Sequence, residues 1–339
     1  TLAMRAVLAG QGEVALALLR DGSARVTDRD AAHNTVVMLA LARGDYHLVT
    51  SLCADHGADI TARDETGRTG FMQCIDTNKT ACILAMLSLG VMCPGTRDHK
   101  GRTAIMHAAA RGNLVVVRSI IARNIRFECD DLESVHDLDK RRWNALVYAA
   151  KNDHSDIVRC LVNEHGANVD VVTASNFTPL LVAASMGNTG AVRTLVLDCN
   201  ADTRTHLYRQ WSALVLAADG GHTETTLALV RDCGMYVNER NHIGWTPLMF
   251  SVYKDHTETV AALGACDDCD VNIQNDTGMT ALMMAAQLGS MENIRFLCVE
   301  CGADPNILDM NTRSALMLAS ELGKTDVVVA LVMKFGANV

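Results

Sequence analysis

Two cysteine pairs, Cys266/Cys269 and Cys298/Cys301, stand at the Cys-x-x-Cys spacing of a half-site for tetrahedral zinc. Thiolate sulfurs so spaced can share one ion, and two such pairs would close a four-cysteine shell. The competing reading is packing. Cys298 shares a recurring slot with Cys53, and Cys301 shares one with Cys199 and Cys233, as expected of small side chains filling equivalent places in a repeat. The histidines fall mostly in loops (His33, His99, His206, His242) or at helix junctions (His154, His222, His256), where surface placement is expected. No glycine-rich phosphate loop, nucleophile elbow or His-Glu-x-x-His is present, so the kinase, hydrolase and metalloprotease templates fail. The reading is a non-catalytic chain with no cofactor, and packing in preference to zinc.

What positions these residues is a repeat. The motif Thr280-Ala281-Leu282-Met283-Met284-Ala285-Ala286 returns ten times, opened by Thr1, Thr35, Thr69, Thr103, Asn144, Thr178, Ser212, Thr246, Thr280 and Ser314. Every step is 34 residues except one of 41, from Thr103 to Asn144 (144 − 103). A hydroxyl before an apolar-periodic run is a helix start, because its oxygen can accept an orphan backbone N–H. Small pairs such as Ala183 and Ala184 let helices approach closely, and Gly, Asn or Asp nine places after the opener (Gly44, Asn78, Asp153, Gly187) ends the first helix. A second helix follows, its stripe visible as Ile157, Val158, Leu161 and Val162. Each unit is therefore a helical hairpin plus an extended loop.

Composition supports a folded chain. Of 339 residues, 49% are apolar and 4% aromatic, and the net charge is −9, which argues against disorder and general nucleic-acid affinity. The apolar runs Val115 to Ile121 and Val327 to Met333 are too short to cross a bilayer. Twelve cysteines spread through a long chain without a signal peptide point to a reducing, cytoplasmic setting.

Thr178-Pro179-Leu180 and Thr246-Pro247-Leu248, with the closing turns Gly302-Ala303-Asp304-Pro305-Asn306 and Gly57-Ala58-Asp59, resemble the ankyrin repeat family. The family motif reads T-P-L-H-x-A over about 33 residues. The resemblance runs through the whole chain and implies an all-α solenoid of helix-turn-helix units with hairpin fingers: one array over 1–339, with registers near 1, 35, 69, 103, 144, 178, 212, 246, 280 and 314. It implies a scaffold or adaptor for protein partners, with a cytoskeletal association as one expectation. The alternative is a targeting or regulatory arm of a larger enzyme such as a kinase. The chain departs from the motif at its His position, which holds Met4, Met38, Met72, Met106, Val147, Leu181, Val215, Met249, Met283 and Met317. Thioether and aliphatic packing is expected to replace a polar tie there, giving a softer stack. Neither end carries a polar capping repeat, which reads as a segment of a longer polypeptide and leaves self-association through the ends open. The long step inserts seven residues (41 − 34) in an acidic finger over 124–140, either solvated or a partner contact.

In the resembled family the finger tips and first helices line a binding face. The position before the openers holds Asn34, Arg68, Arg102, Trp143, Phe177, Trp211, Trp245, Met279 and Arg313, including all three tryptophans of the chain. Neighbouring positions add Lys100, Lys140, Arg141, Tyr208, Arg209, His242 and Tyr253. Aromatic and Arg side chains are common interface anchors, so repeats four to eight are expected to clasp an acidic or amphipathic protein segment. The alternative is that each aromatic packs on its own finger.

Overall fold

Nine of the ten openers cap the first helix of their repeat through their side chains. In extended backbone before a helix, Thr35 Oγ1 accepts the Met38 N–H at 3.4 Å, Asn144 Oδ1 that of Val147 at 3.0 Å and Ser212 Oγ that of Val215 at 3.1 Å. Thr103 is the exception among the ten: it precedes a helix, yet its hydroxyl caps nothing and is buried without a partner. Nine places after each opener the backbone is left-handed, as at Gly44 (φ 79°), Asn78 (φ 56°), Asp153 (φ 59°) and Gly221 (φ 69°), which stops the helix. These features come from a computed structural model describing residues 1–88, 96–126, 134–205 and 211–339.

The chain forms two compact units, Thr1–Ser175 and Asn176–Val339. The first holds the helix pairs α1 (Leu2–Leu8) and α2 (Gly12–Arg20), α3 (Val36–Arg43) and α4 (Tyr46–His56), α5 (Gly70–Asp76) and α6 (Thr80–Ser88), α7 (Ala104–Ala110) and α8 (Leu114–Arg126), and α9 (Ala145–Lys151) and α10 (Ser155–Arg159). The second holds α11 (Pro179–Ser185) and α12 (Thr189–Arg193), α13 (Ala213–Asp219) and α14 (Thr223–Arg231), α15 (Pro247–Tyr253) and α16 (Thr257–Gly264), α17 (Ala281–Leu288) and α18 (Met291–Arg295), and α19 (Ala315–Glu321) and α20 (Thr325–Lys334). The described residues contain no β-strand, only an isolated bridge between Arg63 and Thr69, so the fold is all-α. Three second helices, α10, α12 and α18, widen into π-helical turns at Cys160–Glu164, Thr194–Asp198 and Phe296–Glu300.

Within each unit the core lies between hairpins. Ala149 and Ala150 in the first unit, and Ala217, Ala218, Ala285 and Ala286 in the second, are fully buried where successive first helices meet. Nine of the ten side chains at the Met position are buried, from Met4 to Met283, and Met317 is exposed. Two of these thioethers are more than filler, since Met4 Sδ and Met38 Sδ accept from the backbone nitrogens of Thr1 and Thr35 at 3.6 and 3.5 Å.

Polar ties between repeats persist in a different column. Ten places after the opener, Nε2 of His154, His222 and His256 donates to the carbonyls of Ala110, Ser185 and Asp219 at 3.2, 3.1 and 2.9 Å. Each imidazole also covers the left-handed glycine of the preceding repeat: a Cβ on Gly112, Gly187 or Gly221 would lie within 2.7 Å of the ring. These junction histidines are structural joints. The loops are stitched as well. Arg29 Nη1 donates to the Arg63 carbonyl at 2.7 Å, Arg63 Nη1 to that of Arg97 at 2.8 Å and Arg97 Nη1 to that of Leu138 at 2.8 Å.

Candidate protein-binding surface

Five places before most openers an Asp or Asn closes the finger. Asp139 Oδ1 accepts the N–H of Arg141 and Trp143, both at 2.8 Å, and Asn241 Oδ1 accepts those of Ile243 and Trp245 at 3.1 and 2.9 Å. Short polar side chains that bond backbone two and four residues on fix the loop and aim the residue before the opener. That residue reaches the residue seven places after the opener on the first helix: Arg68 meets Asp76 at 3.2 Å, Arg313 meets Glu321 at 3.4 Å, and the Trp245 and Tyr253 rings lie 5.3 Å apart. The two columns thus form one face within each unit.

In the first unit that face is polar. His107 is buried, with Nδ1 at 3.0 Å from Asp76 Oδ1 and Nε2 at 3.4 Å from Asp98 Oδ2. Burial opposes charge on the ring, but the two carboxylates outweigh it and raise its pKa. Asp98 resists its own burial through His107 and Arg102, which hold its carboxyl far below the usual range. Asp64, likewise partly buried, is held at about 2 by hydrogen bonds from Thr66, Arg68 and Gln73. Arg102 is committed to Asp98 at 2.7 Å. Trp143 is half-buried, edge-on to Tyr148 at 5.3 Å, with the Lys151 ammonium 5.3 Å from the ring centroid. Lys100, Lys140 and Arg141 are exposed at finger tips. Sequence reasoning missed His107, although its slot, four places after the opener, also holds Gln73 and Tyr148, both hydrogen-bonded.

In the second unit the same face is aromatic. Trp211 and Trp245 are half-buried and both pack on the buried Phe250 at 4.9 and 5.1 Å between centroids, and Tyr253 is 54% exposed against Trp245. Trp143 and Trp245 therefore meet the first helix of their own repeat, and Trp211 meets that of the next. Phe177 is half-buried and His242 exposed. The cations and the aromatics expected of one surface divide between the units: Lys100, Arg102, Lys140 and Arg141 with Trp143 in the first, and Phe177, Trp211, Trp245, His242 and Tyr253 in the second. Tyr208 and Arg209 lie outside the described residues, as do 127–133 of the acidic finger. The finger's described carboxylates are engaged, Asp137 with Arg97 at 2.8 Å and Asp139 with the Tyr148 hydroxyl at 2.8 Å.

Cys266, Cys269, Cys298 and Cys301 pack against the apolar core of the second unit. Burial, with Cys266 and Cys301 beside it, lifts the Cys269 thiol to about 12, burial lifts Cys298 to about 11, and Cys266 Sγ donates to the Ala262 carbonyl at 3.4 Å. A group unnoticed in the sequence, Cys160, Glu164 and His165, brings its ligand atoms within 4.8 Å of one another. There Arg118 already pairs with Glu164, and burial raises the Cys160 thiol.

Four overlapping stretches, residues 37–131, 130–206, 197–275 and 263–339, match the family model described as ankyrin repeats (3 copies). The crystal structure of the human ASB11 ankyrin repeat domain aligns with a TM-score of 0.58 at 26% identity, covering 70% of this chain and 100% of that one. Among curated proteins, cortactin-binding protein 2 of Rattus norvegicus is 35% identical over 96 residues, 27% of this chain, which spans only 5% of that relative's length. With family matches running from residue 37 to the last residue, and nine of the ten openers capping their helix, the chain belongs to the ankyrin repeat family.

Proposed function

We propose that this chain is a non-catalytic scaffold or adaptor module that holds a partner segment on the first-helix face of residues 176–339, with Trp211, Trp245 and Tyr253 as anchors. Ankyrin repeats are protein-interaction modules, and the family supplies the class of function. The observation that carries the placement is the aromatic cluster around Phe250, whose outer rings stay partly open while edge-on and tilted ring contacts hold them in place. Rings ordered in advance lose few torsions on binding, which is why Trp and Tyr dominate interface energetics. The exposed finger tips Lys100, Lys140 and Arg141 are a separate, secondary contact of the first unit. A cytoplasmic, cytoskeletal setting is part of the proposal, supported by the name of the cortactin-binding relative.

The test is affinity capture from source cells with the wild-type chain and with Trp211→Ala/Trp245→Ala, alongside circular dichroism. Loss of the captured protein with the helical signal intact is expected. Unchanged recovery removes the placement. Tyr253→Ala, at an exposed position, repeats the test without touching the core.

A further inference from the structure

The charge of the chain is unevenly distributed. Residues 176–339 carry 3 Lys and 7 Arg against 18 Asp and Glu, 10 − 18 = −8, whereas residues 1–175 carry 20 against 21, or −1; together these give the −9 of the whole chain. Among the described residues, three cations on and beside the aromatic face are paired with carboxylates: Lys254 lies 3.8 Å from Asp219, Arg313 lies 2.8 Å from Asp309 and 3.4 Å from Glu321, and Arg240 lies 3.1 Å from Asp276. The floor of the face is apolar, with Leu216, Phe250 and Met284 buried in the slot that carries Gln73, His107 and Tyr148 in the first unit. Beyond Trp245, the half-buried Met279 continues the column before the openers, and Leu288 is exposed eight places after its opener.

We infer that the occupant of this face is a basic amphipathic helix of another protein. Its apolar side meets Trp211, Trp245, Tyr253 and Met279, and its Lys and Arg side chains meet the net negative surroundings of the face and the partly open rings. Three features converge on that chemistry. An apolar stripe of adaptable Met and aromatic side chains accepts the i, i+3, i+4, i+7 anchors of a helix. A field of −8 attracts a cationic segment and repels an acidic one. Exposed indole and phenol faces take Lys or Arg by cation–π contact, as Lys151 does on Trp143 at 5.3 Å. Of the two segment types expected from sequence, acidic or amphipathic, the charge map selects the amphipathic one and makes it basic. The inference rests on the placement proposed above.

The probe is a labelled helical peptide of about 18 residues, five turns, with Leu and Trp on one face and Lys and Arg on the other. An analogue carries Glu in place of every Lys and Arg, and both are titrated into the full chain by fluorescence anisotropy. The basic peptide is expected to bind about tenfold or more tighter than the acidic one, and to weaken severalfold as salt rises from about 0.05 to 0.5 M. Trp245→Ala and Tyr253→Ala are each expected to weaken it by about tenfold. Acidic-peptide binding that these variants abolish overturns the charge inference and leaves the placement standing. Basic-peptide binding that ignores both variants removes the placement and the inference together. Binding of neither peptide overturns the inference, and cellular capture by the wild-type chain that is lost in Trp211→Ala/Trp245→Ala still upholds the placement.

Discussion

His107 Nδ1 lies 3.0 Å from the Oδ1 of Asp76, a carboxylate contributed by the preceding repeat, and this contact joins two hairpins through a buried bond that becomes an ion pair when the ring is protonated. Asp98 on the other side of the ring, and Arg68, Arg102 and Arg111 around the two carboxylates, complete the charged groups that face it. Removing one partner of such a pair strands the others, so His107→Ala is expected to lower the stability of the first unit by about 3 kcal/mol. Chemical denaturation measures this. A loss under about 0.5 kcal/mol, the range of ordinary surface substitutions, contradicts the role given to His107.

The same cluster sets a pH profile. The folded pKa of His107 is raised, so its contribution is complete below the unfolded value of about 6.5 and is lost as pH rises through the folded value. Asp76, Asp98 and Asp64 have lowered pKa values, so their contributions are present above about 3.9 and are lost as pH falls. The first unit should be most stable in the weakly acidic range and lose stability towards alkaline pH. Thermal melts across pH in wild type and His107→Gln check the assignment, since the variant should lose the alkaline-side slope.

Gly221 and His256 offer a coupling test. A Cβ at Gly221 would lie 2.7 Å from His256 Nδ1, and φ there is 69°, so Gly221→Ala should cost about 1–2 kcal/mol for the backbone alone, plus the steric clash. His256→Ala should cost about 1 kcal/mol for its bond to the Asp219 carbonyl. The double variant is expected to fall short of the sum, because removing the ring removes the clash. Strict additivity would mean that ring and glycine do not pack.

The openers give a contrast within one column. Thr178→Val removes a working cap and should cost about 1 kcal/mol, whereas Thr103→Val removes a buried hydroxyl without a partner and should be neutral or stabilising. Equal losses in equilibrium denaturation would contradict the distinction.

Much of this architecture was legible in the residues. Thr35, Gly44 and the Ala285/Ala286 pair each state a local rule (cap, left-handed stop, close approach) that needs only nearby chain to operate. What escaped were contacts between repeats. His107 is defined by Asp76, 31 positions earlier in the chain, and His222 and His256 look like surface residues until the carbonyl of the previous first helix is placed beside them. Arg102 reads as an available anchor although Asp98, four places earlier, holds it, a local pairing that recurs at Asp64/Arg68 and Asp309/Arg313. The aromatic column was visible, but its division from the cationic residues follows the boundary at Ser175/Asn176, which no linker or Gly/Pro-rich stretch marks and only the net charge, −1 before it and −8 after it, reflects.

The most direct measurement is site-specific photo-crosslinking in source cells, with p-benzoylphenylalanine at Tyr253 on the aromatic face or at Tyr236, exposed in the turn after the second helix of the previous repeat. A partner joined through position 253 and not through 236, and lost when Trp211 and Trp245 are changed to Ala, is the predicted result. Partner crosslinks through 236 alone would contradict the account.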